Sequence, residues 1–221
     1  MIKRGISLIF LLIIGFSVLA AQEIVTAESY LRMVSDVYAS LRDYEASVII
    51  RSGGSNMAGN VSFRSPNLLR IDFSQPANQV IVFNGDSLVV YLPEFRAVLN
   101  QEVNRRTAQS GSGLSMLIRN FTPTFLTGPN PEPLDSGSSE RVIKLRLTRR
   151  FTSEGFRELI LSINPDTRLI RRIEGRTIAE VDVRIDFTSI RTNVGVPVAR
   201  FEYDTPPNSN MYNNFLFRDT D

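Results

Sequence analysis

The 221 residues include 25 lysines and arginines against 23 aspartates and glutamates, and no histidine, cysteine or tryptophan. That length suits one domain of ordinary size, and the missing residue types exclude imidazole bases, thiolate nucleophiles, His/Cys metal sites and disulfides. Lys3 and Arg4 lie in an N-terminal leader without acidic residues; setting them aside leaves 23 basic residues against 23 acidic, which removes the electrostatic footprint of a nucleic-acid partner.

Met1 to Ala21 has a secretory layout, with Lys3 and Arg4, an apolar run from Ile6 to Leu19, then small residues. The run is shorter than the roughly 20 apolar residues of a spanning helix, so cleavage after Ala20 or Ala21 is expected rather than retention as an anchor. With no cysteine at that point, the mature protein is not itself lipid-modified. It should be soluble and form a single domain over residues 22–221. From Ile24 to Leu41, Ala27, Leu31, Val34, Val37, Tyr38 and Leu41 recur at helical spacing, and Thr26 is the expected N-cap.

Strands follow. Tyr44–Arg51 and Met57–Arg64 are joined through Gly53-Gly54. From Gly59 to Val103 runs a meander: Phe63, then Leu69, Ile71 and Phe73 alternate at period two, and Pro66 and Pro76 bracket their strand. Asn84-Gly85 sits between Val80–Val82 and Leu88–Val90, a hairpin signal. Phe95–Val103 closes about six strands.

Arg105 to Gly113 is polar and rich in Gly and Ser. Leu114, Leu117, Ile118 and Phe121 then fall at i, i+3, i+4 and i+7, predicting a short helix ended by Pro123. Pro129, Pro131 and Pro133 lead into an exposed connection. Further strands are predicted at Arg141–Thr148, Phe156–Ile163 and Arg168–Gly175. Ala179–Phe187 alternates most cleanly, one wall buried and one wet. Val198–Tyr203 and Phe215–Phe217 would be the last strands.

The expected fold is mainly β with α: a half-open antiparallel β-barrel or curved sheet, with an N-terminal helix and a second helix as plug or lid on the concave side. An enzyme is not expected. The acidic residues alternate along strands with basic neighbours and read as surface charges. Arg105-Arg106, Arg149-Arg150 and Arg171-Arg172 read as solvated strand faces, and Gly111–Gly113 as a hinge rather than a phosphate loop. What remains is apolar surface. Phe63, Leu69, Ile71 and Phe73 suit either a permanent core or a ligand cavity under a movable helix, and periodicity does not separate the two.

The ordered set Phe63, Pro66, Arg70, Pro76, Val80, Asn84, Gly85, Val89 and Tyr91 resembles the periplasmic outer-membrane lipoprotein carrier family, the LolA type. Gly113–Asn120 is similar to that family's lid segment, and Phe215-Leu216-Phe217 to its closing strand. The resemblance implies a periplasmic carrier without cofactor or metal, monomeric, whose cavity takes the acyl chains of lipoproteins released by an inner-membrane transporter and passes them to an outer-membrane acceptor. Phe63, Leu69, Ile71 and Phe73 would line the cavity, with Leu114, Leu117, Ile118 and Phe121 on the lid. Several positions depart from the pattern. Ser65 stands where the family has the arginine that holds its lid, leaving Arg64, one place earlier and by strand alternation facing the other way, as a candidate lid contact. Ile71 and Val89 replace aromatic residues, and Leu114 replaces a common proline. The alternatives are a sensor module on the same fold that binds a protein partner, or a carrier of another amphiphile.

Overall fold

The computed structural model describes residues 25–103, 113–152 and 155–215. The leader, the Arg105-Arg106 pair, most of the Gly/Ser-rich stretch and the end of the Phe215–Phe217 segment lie outside these residues. Helix α1 spans Ala27–Ser40. Thr26 caps it from an extended conformation, its hydroxyl oxygen accepting from the Ser29 amide at 3.1 Å. Ala27, Tyr30, Leu31 and Val34 are buried along one face, as the spacing predicts.

The strands are β1 Asp43–Ser52, β2 Ser55–Arg64, β3 Leu68–Gln75, β4 Val80–Phe83, β5 Ser87–Leu92 and β6 Ala97–Glu102, then, after helix α2 (Gly113–Asn120), β7 Phe121–Phe125, β8 Glu132–Pro133, β9 Arg141–Arg149, β10 Phe156–Ile163, β11 Ile170–Thr177, β12 Asp182–Thr192 and β13 Asn210–Asn213. They form one curved thirteen-stranded sheet ordered β13-β6-β5-β4-β3-β2-β1-β12-β11-β10-β9-β7, with β8 added on β9. Every pairing is antiparallel except β13 on β6. The two glycines of the β1–β2 turn take φ +53 and +84, and Gly85 takes +97, the left-handed values that glycine adopts at least cost.

Some boundaries differ from the sequence reading. The second helix ends at Asn120, and Phe121 begins β7 instead of closing the helix. Pro123 is tolerated inside β7 because that strand ends the sheet order. The clean alternation expected from Ala179 starts as strand only at Asp182, after a turn with Glu180 at φ +61. Val198–Tyr203 is not a strand but a 3₁₀ turn at Val198–Phe201 followed by extended chain.

The sheet has two differently covered faces. α1 and α2 pack on what is here the inner face, in a core of Tyr30, Leu31, Val34, Phe121, Ile143, Leu145, Leu147, Leu161 and Ile163. On the outer face, the stretch 193–209 crosses β2–β6. Arg64 donates to the Val196 carbonyl, Arg70 donates to the carbonyls of Arg200 and Glu202 at 3.2 and 3.1 Å, and Asp72 pairs with Arg70 and Arg200. Phe201 and Val196 are buried there.

Gly59 sits opposite Phe73 at a register irregularity between β2 and β3. A Cβ at Gly59 would press on the Asp72 carbonyl and lie 2.9 Å from the Phe73 Cα. Both are backbone atoms that cannot step aside. Gly59→Ala is therefore expected to lower stability by about 1–3 kcal/mol in urea unfolding, although alanine normally suits a strand no worse than glycine.

Candidate apolar binding face

Register assigns each strand residue to a face. On the inner face, Tyr44, Phe63, Leu69, Phe83 and Leu88 form one row across β1–β5. A second row runs Ala46, Val61, Ile71, Ile81, Val90 and Leu99 across β1–β6. Neither row contains a charged residue. Ala46 and Val61 are buried, whereas Phe63, Leu69, Ile71, Ile81, Phe83, Leu88, Val90 and Leu99 are all half-buried. Single half-exposed apolar side chains are ordinary, but here they are contiguous across six strands, the kind of patch that marks an interaction surface.

The predicted site residues fall into two regions of this face. Phe63, Leu69 and Ile71 belong to the half-buried rows, and Phe73 beside them is 4 % exposed. Leu114, Leu117 and Ile118 of α2 pack, with buried Phe121, into the cluster formed by α1 with β7, β9 and β10. Ile71 and Phe73 are not members of that cluster. Arg64 points to the outer face, where it holds Val196, so it does not reach the helix-bearing side.

Aromatic contacts connect the regions. Tyr38 on α1 meets Tyr44 edge-on at 6.2 Å between ring centres, and Tyr44 stacks on Phe63 at 5.0 Å. The Tyr38 hydroxyl accepts from the Ile170 amide at 3.0 Å. Burial, then the neighbouring Tyr38, pushes the Tyr44 phenol far above its ordinary pKa and keeps it neutral. Tyr38, Tyr44, Ala46, Ile173, Phe187 and Ile190 help line an apolar cavity of about 100 Å³. Sequence reasoning missed Tyr38 and Tyr44 as site residues, and missed Ile81, Phe83, Leu88 and Val90. The signal for the last four was present: the Asn84-Gly85 hairpin pairs Phe83 with Leu88, and Leu69 opposite Phe83 fixes their face.

Charge is concentrated on the outer face. Arg172, 4 % exposed, forms a fork with Asp135 at 2.8 Å to each oxygen and contacts Asp186 at 2.5 Å. Asp186 also receives Arg184 at 2.8 Å and Arg51 at 2.7 Å. The expectation that Arg171-Arg172 is a solvated pair is therefore wrong for both, because the 126–140 connection folds back and places Asp135 over Arg172 and Glu140 against Arg171, whose side chain is 19 % exposed. Hydrogen bonding from Arg172 holds the Asp135 carboxyl at about 2, despite some opposing desolvation. For Asp186, burial pushes upward, but Arg184 and Arg172 outweigh it and hold the group below its ordinary value. Depressed carboxyl pKa values give stability that is present above the unfolded value near 3.9 and lost as pH falls through the folded one. The melting temperature should thus stay flat down to about pH 5 and fall steeply from about pH 4 towards pH 2. A flat profile through that window would mean the network contributes nothing.

Among the described residues, no group of three or more acidic side chains is placed to hold a metal ion, and no helix is long and apolar enough to cross a membrane.

Residues 51–204 match the family described as outer membrane lipoprotein carrier protein LolA. An outer-membrane lipoprotein carrier protein of Bordetella avium is 22 % identical over 175 residues, spanning 78 % of this chain and 80 % of that protein. Among solved structures, an uncharacterised conserved protein of Thermus thermophilus aligns with TM-score 0.58 at 14 % identity, over 85 % of this chain and 98 % of the other. The Mycobacterium tuberculosis lipoprotein LppX aligns with TM-score 0.52 at 15 % identity, over 78 % and 97 %.

Proposed function

Since the chain belongs to the LolA family of outer-membrane lipoprotein carriers, we propose that it is a periplasmic carrier that holds the acyl chains of lipoproteins against the inner face of its sheet. The cargo would be released by an inner-membrane transporter and delivered to an outer-membrane acceptor, after removal of the leader at Ala20 or Ala21. The observation that carries this reading is the pair of uncharged, half-buried rows across β1–β6. Each methylene removed from water gains about 0.8 kcal/mol, so roughly ten methylenes would gain on the order of 8 kcal/mol. A bilayer offers the same chains no less. Directionality must then come from protein contacts and from opening of the site, with no nucleotide in the carrier.

The cavity of about 100 Å³ under Tyr38 is well below the 300–1,000 Å³ of ordinary ligand pockets. Loading an acyl chain therefore requires the helices to move. α2 is the candidate to move first: it is one short element packed by a few side chains, Leu114, Leu117 and Ile118, against α1 and β7, and α1 carries the Tyr38 that lines the cavity. Its amides are expected to exchange with solvent well before those of β10. Equal protection would argue for a fixed core helix.

The rows recognise hydrocarbon rather than any protein portion of the cargo, so another amphiphile is the second reading. Mass spectrometry of material co-purifying from the periplasm separates the two. Acylated lipoproteins support the first, while a glycolipid or isoprenoid alone replaces it with the second.

A further inference from the structure

We infer that one rim of the sheet is a contact surface for a lipid bilayer with anionic headgroups. Strand register places the β1–β2, β5–β6, β9–β10 and β11–β12 connections at the same end, since Ser52 pairs with Ser55 and Val183, Leu92 with Ala97, Arg176 with Asp182, and Glu158 with Thr148. Three of these tips carry the most exposed large apolar side chains among the described residues: Phe95 at 67 %, Phe151 at 57 % and Ile178 at 56 %. The last two tips are joined by the Ile178 amide donating to the Gly155 carbonyl at 3.1 Å.

The spacing of the tips selects the partner. The β5–β6 tip lies six strands from the β11–β12 tip in the sheet order, roughly 29 Å along the sheet at about 4.8 Å per strand. Between them the β1–β2 and β3–β4 tips present small and polar exposed residues, Gly53-Gly54 and Ala77-Asn78, so the apolar side chains do not join into the continuous patch of about 800 Å² that a protein partner takes. A bilayer interface takes each tip separately.

Charge agrees. Arg96 follows Phe95, and Arg149 and Arg150 precede Phe151. Arg96 and Arg149 have no ion pair among the described residues. Of the acidic residues described near these tips, Glu180 is held by Arg157 and Arg176, Glu158 by Arg146, and Asp182 lies 3.6 Å from Arg176, while Glu94 is unpaired. The arginines would reach lipid phosphates as the rings enter the headgroup–acyl boundary. This contact would also bear on the inner face. The Arg150 amide donates to the Asn120 carbonyl at 2.7 Å and its Nε to the Phe121 carbonyl at 3.0 Å, tying the Phe151 tip to the last residue of α2. The bilayer contact stands independently of which cargo the inner face holds.

The chain contains no tryptophan, so single introduced tryptophans report individual positions. The protein from Gln22 onward retains every described element and lacks the apolar leader. With it, Phe95→Trp and Phe151→Trp should shift their emission to shorter wavelength on addition of phosphatidylethanolamine/phosphatidylglycerol vesicles. Val198→Trp, on the outer-face strap, should not. Changing Phe95, Phe151 and Ile178 together to glutamate should lower co-flotation about ten-fold with an unchanged circular-dichroism spectrum. If that triple variant unfolds, the tryptophan variants decide. No shift at positions 95 and 151, or an equal shift at 198, overturns the surface. Equal binding to pure phosphatidylcholine vesicles overturns the requirement for anionic headgroups.

Discussion

Ile71→Glu is expected to weaken binding of a fluorescent fatty-acid probe by about a hundred-fold while the sheet remains folded. Ile71 stands in the middle of the row from Ala46 to Leu99, flanked by Val61 and Ile81. A carboxylate there has no cation within the row, and the nearest arginine in sequence, Arg70, is engaged on the outer face. It would keep water where hydrocarbon should lie, and removing that water without a partner costs several kcal/mol. Because Ile71 is half-buried, the empty protein can hydrate the charge, so folding should survive. Leu117→Glu is the less clean version of the same test, since Leu117 packs against the core shared by α1 and β9. Asp182→Ala is the contrast: its side chain is 84 % exposed and the change should leave binding untouched. Unaltered affinity in folded Ile71→Glu would move the acyl site off this face.

The second large effect is on stability. Arg172→Ala should cost about 3 kcal/mol, the lower end of the range for breaking a buried ion pair by removing one partner. The lower end applies because Asp186, 13 % exposed, keeps Arg184 and Arg51, whereas Asp135 is half in water and loses little. Arg184→Ala, at a 36 % exposed side chain, should cost under about 1 kcal/mol. Urea midpoints at neutral pH measure both. Equal costs would show that Arg172 behaves as a screened surface charge in spite of its burial.

Much of this architecture could be read from the residues because local signals and the global fold agree. The period-two runs of β2–β5, the Gly53-Gly54 and Asn84-Gly85 turns and the capped α1 stand where expected, and the half-open sheet with helices on one side follows from them. Two kinds of information were missing. Alternation says that residues share a face but not which face is covered, so Phe63 and Ile71 could be listed without Ile81 and Phe83 beside them. Long-range cover is invisible to period: nothing near Arg172 in sequence announces that Asp135, 37 residues earlier, folds over it. The same holds for Val198–Phe201, whose apolar residues suggest a strand but serve as an outer-face wedge around Phe201.

The place of β1 between β2 and β12 bears on how the chain is made. Its first neighbour follows immediately through a two-glycine turn, but its other neighbour lies near the far end of the sequence: Arg51 reaches Asp186 across 135 positions, and the Asp43 carboxylate accepts from the Gly195 amide across 152. A meander of β1–β6 gains local pairings early, yet its first strand stays a bare edge until almost all of the chain has emerged. Contacts of such sequence separation close slowly, and an open strand edge in the meantime invites wrong pairing. Pulse-labelled hydrogen exchange during refolding should therefore find β2–β5 amides protected before those that β1 exchanges with β12. A chain cut after Ile163 should expose that edge permanently and aggregate instead of folding.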